Sequence, residues 1–301
     1  MQQDRSKLLT ELQLQDSLHI DELPIAEAVA IMQRQDQVAL DAVTKERPSI
    51  TQAIELITTQ LKAGGRLLYF GAGTSGRLGV LDASEIPPTF RAPATLVQGT
   101  IAGGMDALLV AQEGAEDSVD GGARDLDKKS PAKNDVVMGI AAGGTTPYVW
   151  GALNHAISLG CKTIFLSCVQ PVPNEPKVDI VIRPLTGPEV VTGSTRLKAG
   201  TATKLVLNTL TTISMIQLGK VYGNLMVDLR CSNAKLWDRG ARTISMVTSL
   251  PKDQALTLLQ QANGHVKLAI AMHKLSLDPA AAQQALDRAQ GRLAMALKNT
   301  I

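Results

Sequence analysis

Five short apolar runs constrain the fold of this chain more than any other feature. They are Arg66-Leu-Leu-Tyr-Phe70, Thr95-Leu-Val-Gln98, Asp135-Val-Val-Met-Gly-Ile140, Lys162-Thr-Ile-Phe-Leu166 and Asp179-Ile-Val-Ile182. Helical stretches separate most of them, notably Met105 to Gln112 and Pro147 to Leu159. Strands buried on both faces and joined by helical crossovers form a parallel sheet covered by helices on each side. The pattern predicts an α/β fold built on a doubly wound, five-stranded parallel sheet. In such a sheet ligands bind beyond the carboxyl ends of the strands.

The flanks read differently. Residues 1–50 are helical in pattern, with Pro24 suited to a first turn and Ile25-Ala-Glu-Ala-Val-Ala-Ile-Met32 placing apolar side chains at helical spacing. Segments of this kind wrap a core or a partner subunit. Ile50 to Leu61 makes an amphipathic helix ended by Gly64-Gly65, after which the first strand starts. Leu197 to Leu218 is a long helix-compatible stretch rich in Ala, Leu and Thr. Pro251 opens a new regime in which Asp253 to Leu275 and Ala280 to Leu297 read as helices. The expected organisation is an N-terminal helical segment over 1–50, a main domain over 51–245 and a small helical domain over 250–301.

Composition narrows the function. With 45% hydrophobic and 19% charged residues the chain is not intrinsically disordered, and 3% aromatic residues make a base-stacking platform a poor expectation. A net charge of +2 on scattered basic residues predicts no nucleic-acid partner and confines any phosphate binding to a local site. Cys161, Cys168 and Cys231 form no CxxC pair and fit a reducing compartment. The first fifteen residues carry no apolar core of a signal, and no run reaches the roughly 20 apolar residues of a membrane span. A cytoplasmic protein with no membrane association is the expectation.

Three loops carry the chemistry. The first, Gly71-Ala-Gly-Thr-Ser-Gly76, lies between a strand and a helix and matches the glycine pattern of dinucleotide sites. Such sites also need an acidic residue closing the second strand, where this chain has Val97-Gln98-Gly99. Thr74 and Ser75, with backbone N–H groups from Gly73 to Gly76 and the helix dipole, suit a single phosphate instead. Glycines that only permit tight packing are the plain alternative. The second loop, Ala142-Gly-Gly-Thr-Thr-Pro147, places Thr146 as an N-cap before Pro147, which simple capping also explains, and brings Thr145 beside it. The third, Thr192-Gly-Ser-Thr-Arg196, adds Ser194 and Thr195 ahead of the long helix. Three hydroxyl- and glycine-rich loops at strand ends or helix starts are best explained by one phosphorylated ligand.

Two carboxylates complete the set. Glu85 lies in Leu81-Asp-Ala-Ser-Glu-Ile-Pro-Pro88, where the prolines argue for a non-helical exit, and Glu116 in Glu113-Gly-Ala-Glu-Asp117 at the end of the next helical unit. Most such glutamates are solvated helix ends, but a pair near one sugar can divide acid and base roles. His19, His155, His265 and His273 have no metal-ligand spacing, so no metal site is expected. A G-x-S-x-G elbow is missing, which argues against a serine hydrolase.

At these residues the chain resembles the N-acetylmuramic acid 6-phosphate etherases of the sugar isomerase (SIS) superfamily. The likeness covers residues 65–85, then Ile101-Ala-Gly-Gly104, Glu113-Gly-Ala-Glu-Asp-Ser118, Glu189-Val-Val-Thr-Gly-Ser194, Lys198-Ala-Gly-Thr201 and Gly223-Asn-Leu-Met-Val-Asp228. The tail is similar to the family's three-helix C-terminal domain. The resemblance implies an SIS-type αβα sandwich, a homodimer and no cofactor. It implies cleavage of a D-lactyl ether from a phosphosugar by elimination and hydration. Glu116 then matches the base at C2, and Glu85 the acid that assists lactate departure and activates water. Two departures stand out: the family's Ala-Ser-Gly-Arg-Thr-Pro loop reads Ala142-Gly-Gly-Thr-Thr-Pro147 here, and its Thr-Glu-x-Arg-Asn stretch reads Thr10-Glu-Leu-Gln-Leu. A non-catalytic phosphosugar sensor and an aldose–ketose isomerase are the competing expectations, and a nicotinamide-dependent dehydrogenase ranks last.

Overall fold

The five apolar runs pair as one parallel sheet in a computed structural model that describes residues 8–229, 231 and 233–298. Three short 3-10 turns between Leu9 and Glu22 precede helices α1 (Ile25–Lys45) and α2 (Arg47–Lys62). The chain then alternates: β1 (Leu67–Gly71), α3 (Gly73–Phe90), β2 (Val97–Ile101), α4 (Val119–Asp127), β3 (Val136–Ile140), α5 (Pro147–Ser158), β4 (Lys162–Leu166), β5 (Ile180–Ile182) and α6 (Lys198–Gln217). A short hairpin follows, of β6 (Val221–Tyr222) and β7 (Leu225–Met226), and then α7 (Ala234–Thr248), α8 (Lys252–Gln261), α9 (Val266–Leu275), α10 (Pro279–Arg288) and α11 (Leu293–Lys298).

The chain divides into two compact units. One is built from the chain up to Ser84 with Thr95–Thr211, the other from Glu85–Ala94 and the chain from Thr212 onward. In the first unit the strand order is β2-β1-β3-β4-β5, with Gly71 level with Ile140 and Ile101 at the strand ends. Every residue of β1 and β3 is buried, as central strands covered on both faces must be. Leu68, Phe70, Val137 and Phe165 meet Tyr148, Val149 and Leu153 of α5 on one face.

Two local expectations are corrected. Pro87 and Pro88 do not end the helix before them: α3 runs through both to Phe90. Proline's fixed φ is itself helical, and so late in a helix it removes hydrogen bonds from Ala83 and Ser84 without forcing the chain out. The helix expected over Met105 to Gln112 is only a 3-10 turn, Met105–Leu108, because Gly103 and Gly104 before it and Gly114 after it take positive φ. The crossover helix is instead α4, capped by Ser118, whose hydroxyl accepts from the Gly121 N–H at 3.0 Å.

The second unit is helical around α9. Ala269, Ile270 and Ala271 are fully buried, and α7, α8, α10 and α11 pack on this helix. The two helical stretches expected after Pro251 are each broken once, at Asn263-Gly264 and at Gln290-Gly291, where both residues adopt positive φ. Among the described residues no helix is long and apolar enough to cross a membrane.

Candidate active site

The strand order reverses between β1 and β3, since β2 lies on one side of β1 and β3, β4 and β5 follow on the other. Loops leaving these two neighbours part in opposite directions and open a crevice at their carboxyl ends. Residues 72–75 and 141–146 leave those strands, and together, all but Gly144, they line a cavity of about 230 Å³. Of the ten expected site residues, Gly73, Thr74, Ser75, Glu116, Thr145, Thr146 and Thr195 all lie in its wall.

The cavity is built to receive an anion. Gly73, Thr74 and Ser75 form the first turn of α3, and the first N–H of that helix to reach a carbonyl four residues back is Gly76 to Ala72, at 3.2 Å. The three N–H groups before it therefore lack helical partners and carry the positive end of the helix dipole. A second helix end meets them, because Thr146 is the N-cap of α5 and Pro147 its first residue. The Thr146 hydroxyl makes no capping bond, which leaves it to a ligand. Paired helix amino ends with threonine and serine hydroxyls are a phosphate seat.

The third loop is held by a buried carboxylate. Glu189 is fully buried, and its two oxygens accept the backbone N–H groups of Lys198 and Ala199, each at 2.9 Å. Burial raises its pKa against the pull of those donors and of Lys198. Lys198 is equally enclosed, donates to Gln35 Oε1 at 2.6 Å, and has its pKa lowered by burial. Glu189 thus takes the amino end of α6 for itself and fixes the segment that presents Gly193 and Thr195 to the cavity.

Another buried carboxyl fixes α3. Asp82 accepts from Tyr69 at 3.1 Å, Asn208 at 2.8 Å and Thr211 at 3.1 Å, tying the helix to β1 and α6. Burial raises its pKa, while these three neutral donors lower it.

Three expected residues lie elsewhere. Gly76 is buried and serves close packing: a Cβ there would sit 2.6 Å from Ile101 Cγ1 and 2.8 Å from the Gly71 carbonyl oxygen. Ser194 is half-buried in its loop, its N–H bonded to the Val191 carbonyl at 2.9 Å. Glu85 is exposed within α3 and belongs to the second compact unit.

Glu116 sits in a 3-10 turn, Ala115–Asp117, and lines a second cavity of about 280 Å³ as well as the first. Ala72 and Gly73 are also common to both walls. The second cavity is lined by alanines and Gln112 and holds Arg77, which donates from Nε to the Leu108 carbonyl at 3.0 Å. Arg77 was not singled out from the sequence, although it follows Gly73 by four residues and so shares its helix face. Glu11 also lines the first cavity, beside Gly193, whose N–H bonds the Thr10 carbonyl at 3.1 Å. A contact spanning most of the first unit leaves no local signal.

Comparison with known proteins bears on this site. The family model of the glucokinase regulatory protein N-terminal SIS domain matches residues 49–157, which hold the first two loops and both glutamates. An N-acetylmuramic acid 6-phosphate etherase of Gloeobacter violaceus is 50% identical over 98% of this chain and 96% of its own length. That of Symbiobacterium thermophilum is 51% identical over 88% of each chain. A solved phosphoheptose isomerase from Francisella tularensis superposes with a TM-score of 0.48 at 17% identity, over 64% of this chain and 98% of its own.

Proposed function

This chain belongs to the N-acetylmuramic acid 6-phosphate etherase family, and from its loop cavity we infer how it acts on that phosphosugar. It is a carbon–oxygen lyase that cleaves the D-lactyl ether with water, giving N-acetylglucosamine 6-phosphate and D-lactate. The observation that carries the assignment of residues is the gathering of Thr74, Ser75, Thr145, Thr146 and Thr195 with Glu116 around one cavity fed by two helix amino ends.

The phosphate on C6 takes the N–H groups of Gly73 to Ser75 and the hydroxyls around them. The open-chain sugar then runs toward Glu116. In the aldehyde form the C2 proton is acidic, so the Glu116 carboxylate removes it and electrons move to expel the oxygen on C3. Glu85 donates a proton to that oxygen as D-lactate leaves, and later takes one from the water that adds to C3 of the unsaturated aldehyde. A proton returned to C2 closes the cycle, so the net change is addition of water across one bond. The second cavity, reached past Glu116, accommodates the substituents at C2 and C3, with Arg77 opposite the lactyl carboxylate. Glu85 acts in a cytoplasmic homodimer whose subunits together complete the site. Residues 250–301 support this assembly.

The test is D-lactate release from N-acetylmuramic acid 6-phosphate, measured with exchange of the C2 proton for solvent deuterium. Glu116→Gln is expected to lose both, and Glu85→Gln to lose lactate release while keeping exchange. Full lactate release by either variant overturns the role given to that residue. Sedimentation of a fully active monomer overturns the shared site.

A further inference from the structure

A third cavity, polar and wholly within the helical unit, is lined by none of the residues placed in the sugar-phosphate site. It has a volume of about 300 Å³, and Arg91, Lys220, Asp228, His265 and Lys267 stand in its wall over a floor that includes Val227 and Leu286. Lys267 is the anchor. Its side chain is nearly buried and its ammonium donates to the Gly219 carbonyl at 2.9 Å, the Gly291 carbonyl at 2.8 Å and Asp228 Oδ2 at 2.7 Å. These three bonds use its full donor capacity. Asp228 in turn holds Lys220, whose Nζ lies 3.1 Å from Oδ2. On the other side Arg91 Nη2 is 2.9 Å from His265 Nε2. Arginine only donates, so this contact makes Nε2 the acceptor of a neutral imidazole.

The charge does not balance. Among the described residues three cations, Arg91, Lys220 and Lys267, face one carboxylate, which leaves two positive charges around a small concave space. Among the described residues Lys220 has one carboxylate partner, so it retains ammonium donors, and the Arg91 fork keeps donors beyond the one given to His265. Burial and the neighbouring Arg91 lower the pKa of His265, with Asp228 opposing them. A dianion between Arg91 and Lys220 draws the Arg91 donor from Nε2 to itself and offsets the repulsion from Arg91, which lets the imidazole take a proton there and donate to the anion.

We propose that this cavity is a binding site for a small phosphate-type dianion, held by Arg91, Lys220 and His265 and separate from the sugar-phosphate seat of the loops. The dimensions suit inorganic phosphate or a compact phosphate monoester. Lys267 and Asp228 position Lys220 and do not themselves meet the ligand. Phosphate carries the charge that matches the site, and the planar guanidinium fork matches two of its oxygens.

The test uses the full-length protein with labelled histidine, and follows the ring signals of His265 by NMR as inorganic phosphate or glycerol 2-phosphate is added. His265→Asn assigns the signal among His19, His155, His265 and His273. The expected result is a saturable shift of the His265 ring and a rise in its pKa. Arg91→Gln and Lys220→Gln should each weaken that response about tenfold or more, the usual loss for a hydrogen bond to a charged group. Both side chains reach solvent, so the variants are expected to fold, and retained thermal stability checks this. Ser75→Ala should leave the response unchanged, which separates this site from the loop cavity. Saturation by phosphate but not by glycerol 2-phosphate assigns free phosphate as the ligand; the reverse assigns a monoester. A His265 signal indifferent to both probes, or one lost in Ser75→Ala and kept in Arg91→Gln, overturns the proposal.

Discussion

At the residue scale, burial decides what each polar side chain can do. Ser75 and Thr145 are 9% and 8% exposed, so the little surface they show is turned to the cavity. Replacing Ser75 by alanine removes a donor to the proposed phosphate and leaves the fold its glycines. The variant should bind the phosphorylated sugar about tenfold less well, a loss of roughly 1.5 kcal/mol, and the unphosphorylated analogue unchanged. Paired titrations of the two ligands check this, and equal losses count against the phosphate assignment. Ser194, half-buried in its loop, should give the smaller effect of the two. The cysteines obey the same logic. Cys168 is fully buried, and burial, reinforced by nearby Glu189, pushes its thiol up to about 12. It carries almost no thiolate at neutral pH and is expected to resist alkylation in the native protein until denaturant is added. Mass spectrometry of the modified peptides reads this directly.

At the element scale, the site depends on how helix ends are held. Glu189 joins the start of α6 to the strand-side loop through two backbone bonds, both made to a buried charge. Glu189→Gln keeps the shape but turns one accepting oxygen into a donor facing an N–H. Such a change is expected to cost about 2 kcal/mol of stability and to loosen Thr195, raising KM more than it lowers kcat. Denaturant unfolding and steady-state kinetics test the two parts. The pairing of α4 and α5 combines two side-chain bonds, Tyr148 to Asp125 at 2.8 Å and His155 with Asp127 at 2.7 Å, with very close backbone approach. A Cβ on Gly151 would lie 1.9 Å from the Val119 carbonyl oxygen, and one on Gly122 the same distance from that of Tyr148. Gly151→Ala should separate the helices and lower the melting temperature, although alanine is the better helix former. These glycines also explain why α4 is hard to see in the sequence: Val119-Asp-Gly-Gly-Ala-Arg-Asp-Leu-Asp127 reads as a loop until its partner helix is known.

At the scale of the whole molecule, acid should unfold the protein through a few identified aspartates. Burial opposes ionisation of Asp135, but Arg66 and two backbone N–H groups outweigh it and hold its pKa below the ordinary 3.8. Asp179 is depressed in the same sense, against its burial, by Thr163 and Lys162. A carboxyl with a lowered native pKa contributes stability above its unfolded value, and that contribution disappears as pH falls through the native one. Asp82 and Glu189, raised by burial, act oppositely and are relieved by protonation. Thermal melting followed downward from neutral pH should therefore fall most steeply below the ordinary aspartate range. Asp135→Asn should be less stable at neutral pH and show a flatter acid limb; an unchanged limb shows that Asp135 is not a main acid trigger.

Much of this protein is determined by sequence alone. The short apolar runs set the strands, because a segment apolar on both faces has nowhere to go but the middle of a covered sheet. The helical crossovers set their parallel direction, and the glycine loop after β1 marks the carboxyl end where a phosphate can meet a helix. The motifs from Gly65 to Glu85 and at Glu113 to Ser118 carry the family. What those residues do together was decided by tertiary structure. Strand order put the loops after β1 and β3 side by side, and no local pattern encodes which strand lies next to which. The same packing set Glu116 between two cavities, brought Glu11 to Gly193 across most of the first unit, and carried α3 past the prolines that the local rule reads as its end. Propensity acts over a few residues, whereas a site is assembled by contacts between segments far apart in the chain. The loops were therefore legible early, and the walls of the cavity only once the sheet had closed around them.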